Sequence, residues 1–203
     1  MTDPVVATVG GDAVTAADVD ARERQVRAGG SAESLPRPGT GEARQLRRWL
    51  TQVLVAERVV ARDAARLGSG DAVPTEDEVL PDAVARMEVG SVAAATLGGR
   101  AGRAMFAVVT ATVRVSDDEV AAYHARNPMR FAPRERRPGG WDRGPARCGL
   151  EQVRPAVAAH LLAAARRREY RRWLDARCAE LVELGPGYEH PGDPRQPDNT
   201  HRH

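Results

Sequence analysis

The chain has 203 residues, 42% of them apolar and 29% charged, which excludes wholesale disorder and suits one globular domain. The formal net charge is only +2, and no run approaches the ~20 apolar residues that cross a membrane. All 30 basic residues are arginine, as expected of a protein that a GC-rich genome encodes. The abundance of arginine is therefore weak evidence for nucleic-acid binding, and we do not expect a nucleic-acid partner. The N-terminus has no secretory-signal pattern, and a cytoplasmic location is therefore expected.

The N-terminal segment predicts a β-hairpin followed by a helix. Val5–Val9 is apolar and β-branched, and a glycine turn separates it from a second short strand at residues 13–14. Thr15 is a suitable N-cap, and Asp18 places a negative charge in the first turn of a helix that runs to about Arg27.

The next segment predicts a long amphipathic helix over about residues 42–67. Apolar residues recur there at spacings of three and four, and Gly68 and Gly70 end the pattern. Thr75 caps a further helix, which Pro81 bends or breaks.

Residues 91–113 are rich in alanine and glycine and predict one or two short, closely packed helices. Ser116 and Glu119 form a capping-box pattern that begins another helix, and this helix ends near Asn127 because Pro128 follows.

The last third predicts a loop, a long helix and a closing strand. The loop is rich in glycine, proline and arginine, the helix covers about residues 151–181, and residues 181–184 can form a strand that adds to the N-terminal hairpin. The arginines between Arg166 and Arg172 are interpreted as a solvated helix face.

Four segments in this order resemble the SurA-like, parvulin-type chaperones: VVATVGGDAVTAADVDAR, LRRWLTQVLVAERVVARDAARLG, VRVSDDEVAAYHARNPMRFAPRERR and EQVRPAVAAHLLAAARRREYRRWLDARCAELVEL. The resemblance implies a mainly α (α+β) fold, in which a SurA N-terminal-like helical domain carries a small β-hairpin and receives a returning C-terminal helix and strand. It covers most of residues 5–184.

The chain departs from this family where the parvulin domain belongs. Residues 1–137 correspond to the helical region, 138–150 form a loop in place of the isomerase domain, 151–184 return to the first domain, and 185–203 form a polar tail. An independent domain needs at least ~50 residues, so the isomerase does not fit and no catalytic residue is carried over.

The resemblance implies a non-catalytic chaperone or dedicated assembly factor that holds client polypeptide in an apolar cradle. The candidate lining residues are aromatic or β-branched: Trp49, Val53, Phe106, Phe131, Trp141 and Trp173. For all of them except Trp141, the alternative is a place in the core. Trp141, in the loop, is either an exposed anchor or folded back onto the body.

The tail suggests a competing function in metal binding. His190, Asp193, His201 and His203 are ligand types that suit Zn²⁺ or Ni²⁺, although a solvated polar tail is the simpler interpretation and no other cofactor is expected. Two further alternatives stay open: a peptidylprolyl isomerase, and a structural subunit that forms a homodimer through its long helices.

Overall fold

The computed structural model describes residues 3–29, 32–67, 72–132 and 148–189. Within these ranges the fold is mainly helical with a small three-stranded antiparallel sheet, as the sequence predicts. In chain order the elements are β1 (Val5–Val9), β2 (Asp12–Thr15), α1 (Ala16–Arg27), α2 (Gly41–Ala64), α3 (Glu76–Val79), α4 (Ala83–Val89), α5 (Ser91–Gly98), α6 (Arg100–Val109), α7 (Asp117–Arg126), α8 (Leu150–Leu181) and β3 (Val182–Leu184).

The sheet joins the two ends of the described chain. Its strand order is β2-β1-β3, with Thr8 opposite both Ala13 of β2 and Glu183 of β3. Gly10 and Gly11 form the hairpin turn with φ angles of 55° and 91°, values that favour glycine. The predicted hairpin and the predicted closing strand are therefore both confirmed.

Local capping signals determine where several helices begin. The side chains of Thr15, Thr75 and Ser116 each accept a hydrogen bond from the third helical amide, and the acidic residue at that position bonds back to the capping residue. Pro81 lies between α3 and α4, so the predicted break is also confirmed.

The main core lies where α2 packs against α5, α6, α8 and the sheet. The buried apolar side chains of the sheet and of α2 meet those of the helical region here, and Tyr170 of α8 is fully buried among them. The Tyr170 hydroxyl lies 2.8 Å from Oγ1 of Thr96, which satisfies both polar groups inside the core.

A second, smaller core joins α7 to the first half of α8, through Val120, Val153 and Val157. Helix α8 has 32 residues, about 48 Å of helix, and thereby reaches from this small core to the main one. Two ion pairs anchor its second half. Arg177 bonds both carboxylate oxygens of Asp63 on α2 at 2.7 and 2.9 Å, and Arg167 bonds Glu88 on α4 at 2.7 Å.

Among the helices of the described ranges, none combines the length and the apolar character that a bilayer span requires.

Candidate functional site

The structure separates the predicted cradle residues that it describes and does not gather them at one surface. Val53 and Phe106 are buried, with 2% and 6% of their surface exposed, so neither is available to a client. Trp49 and Trp173 are partly buried against the main core. The Trp49 indole donates a hydrogen bond to Oγ of Ser91 over 3.0 Å.

Phe131 lies at the other end of the molecule, against the small core. Its ring centroid is 6.4 Å from that of Tyr123 and 5.7 Å from that of His160, and the guanidinium of Arg130 lies over the Tyr123 ring. Burial and the nearby charge of Arg130 lower the pKa of His160, so this imidazole is neutral at pH 7. This cluster packs the α7–α8 pair.

The remaining predicted residues lie outside the described ranges. These are Trp141 and the proposed metal ligands His190, Asp193, His201 and His203. Within the described ranges, no group of three or more His, Cys, Asp or Glu side chains is arranged to hold a metal ion. The metal-binding tail therefore stays a prediction.

Three clefts lie along one side of α8. The α4–α5 cleft, with a volume of about 310 Å³, lies between α8 and the junction of α4 with α5. The central cleft, of about 820 Å³, lies between α8 and the linker at residues 112–114. The α7 cleft, of about 200 Å³, lies between α8 and α7.

Neighbouring clefts share lining residues, and we name the three together the α8 groove. Arg171 and Asp175 line both the α4–α5 cleft and the central cleft, and Ala165 and Arg168 line both the central cleft and the α7 cleft. Cys178 lies at one end of the groove and Leu161 at the other. Their separation along the helix is about 26 Å at 1.5 Å per residue.

The two ends of the α8 groove are more apolar than its centre. The α4–α5 cleft exposes Val92 and Cys178 in part, while Val89 and Leu174 form its floor with 0% and 3% of their surface exposed. The α7 cleft contains Val115, Ala122, Tyr123 and Leu161.

In contrast, the central cleft is lined by charged side chains: Glu88, Arg114, Arg168, Glu169, Arg171, Arg172 and Asp175. Charged side chains also line the two ends, with Arg171 and Asp175 in the α4–α5 cleft and Glu119, Arg126 and Arg168 in the α7 cleft, but they are most numerous at the centre.

One ionisable group at each end of the groove has a shifted pKa. Burial, helped by the negative charge of Asp175, raises the pKa of the Cys178 thiol to about 11, so this sulfur is protonated and weakly nucleophilic at pH 7. Hydrogen bonds from the backbone and hydroxyl of Ser116 lower the pKa of Glu119, which remains a carboxylate that caps α7.

Sequence reasoning interpreted the arginines of α8 as a solvated face and missed the groove. The available signal was the spacing of Leu161, Ala165, Arg168, Arg172 and Asp175, which recur every three or four residues and so share one side of a helix. Only the packing of α7 and the 112–114 linker beside that side makes it concave.

The comparisons with known proteins cover a small part of the chain. Residues 5–42 match a family of unknown function, DUF7158. This segment comprises the hairpin, α1 and the beginning of α2, and it contributes no residue to the α8 groove. No curated protein and no solved structure matches the chain.

Proposed function

We propose that this protein is a non-catalytic, SurA-like chaperone or dedicated assembly factor that holds extended polypeptide in the α8 groove. The observation that carries the proposal is the succession of three clefts along α8 that share lining residues, with partly exposed apolar side chains at both ends. A long open groove suits a chain-like ligand, whereas an active site for a small molecule is normally a more enclosed cavity.

The dimensions of the groove support a polypeptide ligand. An extended chain rises about 3.3 Å per residue, so a groove of about 26 Å accommodates about eight residues. Alternate side chains of such a segment can enter the clefts while the others face solvent. Apolar contacts at the ends require no fixed sequence, as expected for a protein with many clients or one long client.

The arrangement of the chain ends also supports the proposal. The pairing of β1 with β3 agrees with the returning helix and strand that the SurA resemblance implies. Residues 127–149 are then a connection between two helices that already pack together. Replacing an inserted domain by a short connection at this position leaves both cores intact, because few contacts cross such a boundary.

A combined refolding assay tests this function against the isomerase alternative. The protein is added to a substrate whose refolding is limited by proline isomerisation, and light scattering is recorded in the same samples. We expect suppressed aggregation with an unchanged slow refolding phase, because groove binding shields apolar segments and requires no catalyst. Acceleration of the slow phase would instead identify an isomerase, and unchanged scattering would remove the chaperone proposal.

A further inference from the structure

The centre of the α8 groove carries positive charge that its own carboxylates do not neutralise. Three carboxylates line the central cleft, and each has an arginine partner. Glu88 bonds the buried Arg167 at 2.7 Å, and Glu169 bonds Arg172. The carboxylate of Asp175 lies 3.6 Å from Arg171.

Two arginines of the central cleft have no such partner. In the described ranges, no ion pair or hydrogen bond engages the guanidinium of Arg168, whose charge acts at longer range by lowering the pKa of Glu119. On the linker wall, Arg114 donates from Nη1 only to the backbone oxygens of Ala111 and Val113, at 2.7 and 2.9 Å. Glu119 faces Arg168 across the α7 cleft without forming an ion pair with it. Among the described residues, each wall of the central cleft therefore presents one arginine that no ion pair engages.

We infer that the α8 groove selects extended polypeptide segments in which acidic residues are flanked on both sides by apolar residues. The inference rests on the proposed function and names the class of client. Apolar side chains of such a segment occupy the α4–α5 and α7 clefts, while its carboxylates lie between Arg168 and Arg114. Arginine is well suited to this role because its guanidinium binds carboxylates with two parallel hydrogen bonds.

The apolar ends favour a polypeptide over a nucleic acid. A nucleic acid would present phosphates along the whole groove, and the groove has the partly exposed Val92 at one end and the partly exposed Val115, Tyr123 and Leu161 at the other. Burying these side chains against apolar groups of a ligand is favourable, whereas contact with phosphates provides no such stabilisation.

The test is fluorescence anisotropy with three labelled peptides of about eight residues, matched to the groove length. Each peptide has Leu-Phe at both ends, and the residues of its centre are all Asp, all Ser or all Lys. We expect the Asp peptide to bind about fivefold to tenfold more tightly than the Ser peptide, and the Lys peptide to bind most weakly, with differences that shrink at high salt.

Two charge-reversal variants locate the effect. Arg168→Glu is expected to abolish the preference for the Asp peptide, and Arg37→Glu, which makes the same change at an exposed loop position outside the groove, is expected to retain it. Neither side chain is buried, so circular dichroism should show unchanged folding.

Other outcomes separate the inference from the function on which it rests. Equal affinity for the three peptides, together with suppressed aggregation in the refolding assay, would overturn the acidic selectivity and leave the chaperone function standing. Failure of all three peptides together with unchanged scattering would remove both. An oligothymidylate that binds as tightly as the Asp peptide, in a manner lost in Arg168→Glu, would overturn the inference in favour of a general polyanion site.

Discussion

Replacing Gly102 by alanine is expected to destabilise the protein by about 3 kcal/mol, although alanine is the better helix former. Gly102 lies in α6, where a Cβ atom would be 2.0 Å from the backbone oxygen of Thr96 and 2.6 Å from its carbonyl carbon. The contact is with backbone of α5, which cannot rotate away as a side chain can. Relief of the clash requires α5 and α6 to separate at the main core.

Gly98 provides a matched control for this prediction. It is the last residue of α5, and a Cβ added there meets no atom within 4 Å. Gly98→Ala should therefore leave stability unchanged or raise it by up to about 1 kcal/mol. Urea denaturation measures both variants. Equal stability of Gly102→Ala and the wild-type protein would show that α5 and α6 do not approach as closely as described.

Replacing Glu88 by glutamine is expected to cost about 2 kcal/mol of stability, because it leaves the charge of Arg167 buried without an anion. The Arg167 side chain is only 6% exposed, and Glu88 supplies its carboxylate partner at 2.7 and 3.1 Å. Glu88 is itself 36% exposed, so the cost is smaller than for a fully buried pair. The double variant Glu88→Gln, Arg167→Met should recover most of the loss, since it removes the buried charge as well.

The ion pair between Glu169 and Arg172 serves as the exposed control. Arg172 is 75% exposed, and Glu169→Gln should change stability by less than about 1 kcal/mol. Thermal denaturation measures the stability of the wild-type protein, Glu88→Gln, Glu169→Gln and the double variant. Similar small losses for Glu88→Gln and Glu169→Gln, with no recovery in the double variant, would mean that Arg167 does not depend on its partner.

The elements of this fold were predictable because their signals are local. The N-cap at Thr15, the capping box at Ser116, the glycine turn after Val9 and the break at Pro81 each act within a few residues, and the structure confirms all four. The pairing of β3 with β1 was predictable as well. It followed from the resemblance to SurA-like chaperones and from the low stability of an isolated two-stranded hairpin.

The α8 groove was not predictable from the same signals. Arg168 and Arg172 look like a solvated helix face in the sequence, and only the position of the linker that carries Arg114 makes their surroundings concave. Burial of Val53 and Phe106 likewise depends on which helices meet at the main core. Apolar periodicity shows that a residue faces inward or into a groove, and it does not distinguish the two.

The most direct test of the chaperone proposal is a binding titration with a groove-blocking variant. Ala165 lines both the central and the α7 cleft, so Ala165→Trp would fill the groove where the two clefts meet. Ala159→Trp makes the same change at an exposed position of α8 that lines none of the three clefts.

The ligand is a fluorescently labelled protein kept unfolded by reduction and alkylation of its cysteines. We predict that Ala165→Trp weakens binding at least about tenfold, equivalent to 1.4 kcal/mol, while Ala159→Trp binds like the wild-type protein. Wild-type affinity in a correctly folded Ala165→Trp variant would contradict the assignment of the α8 groove as the polypeptide-binding site.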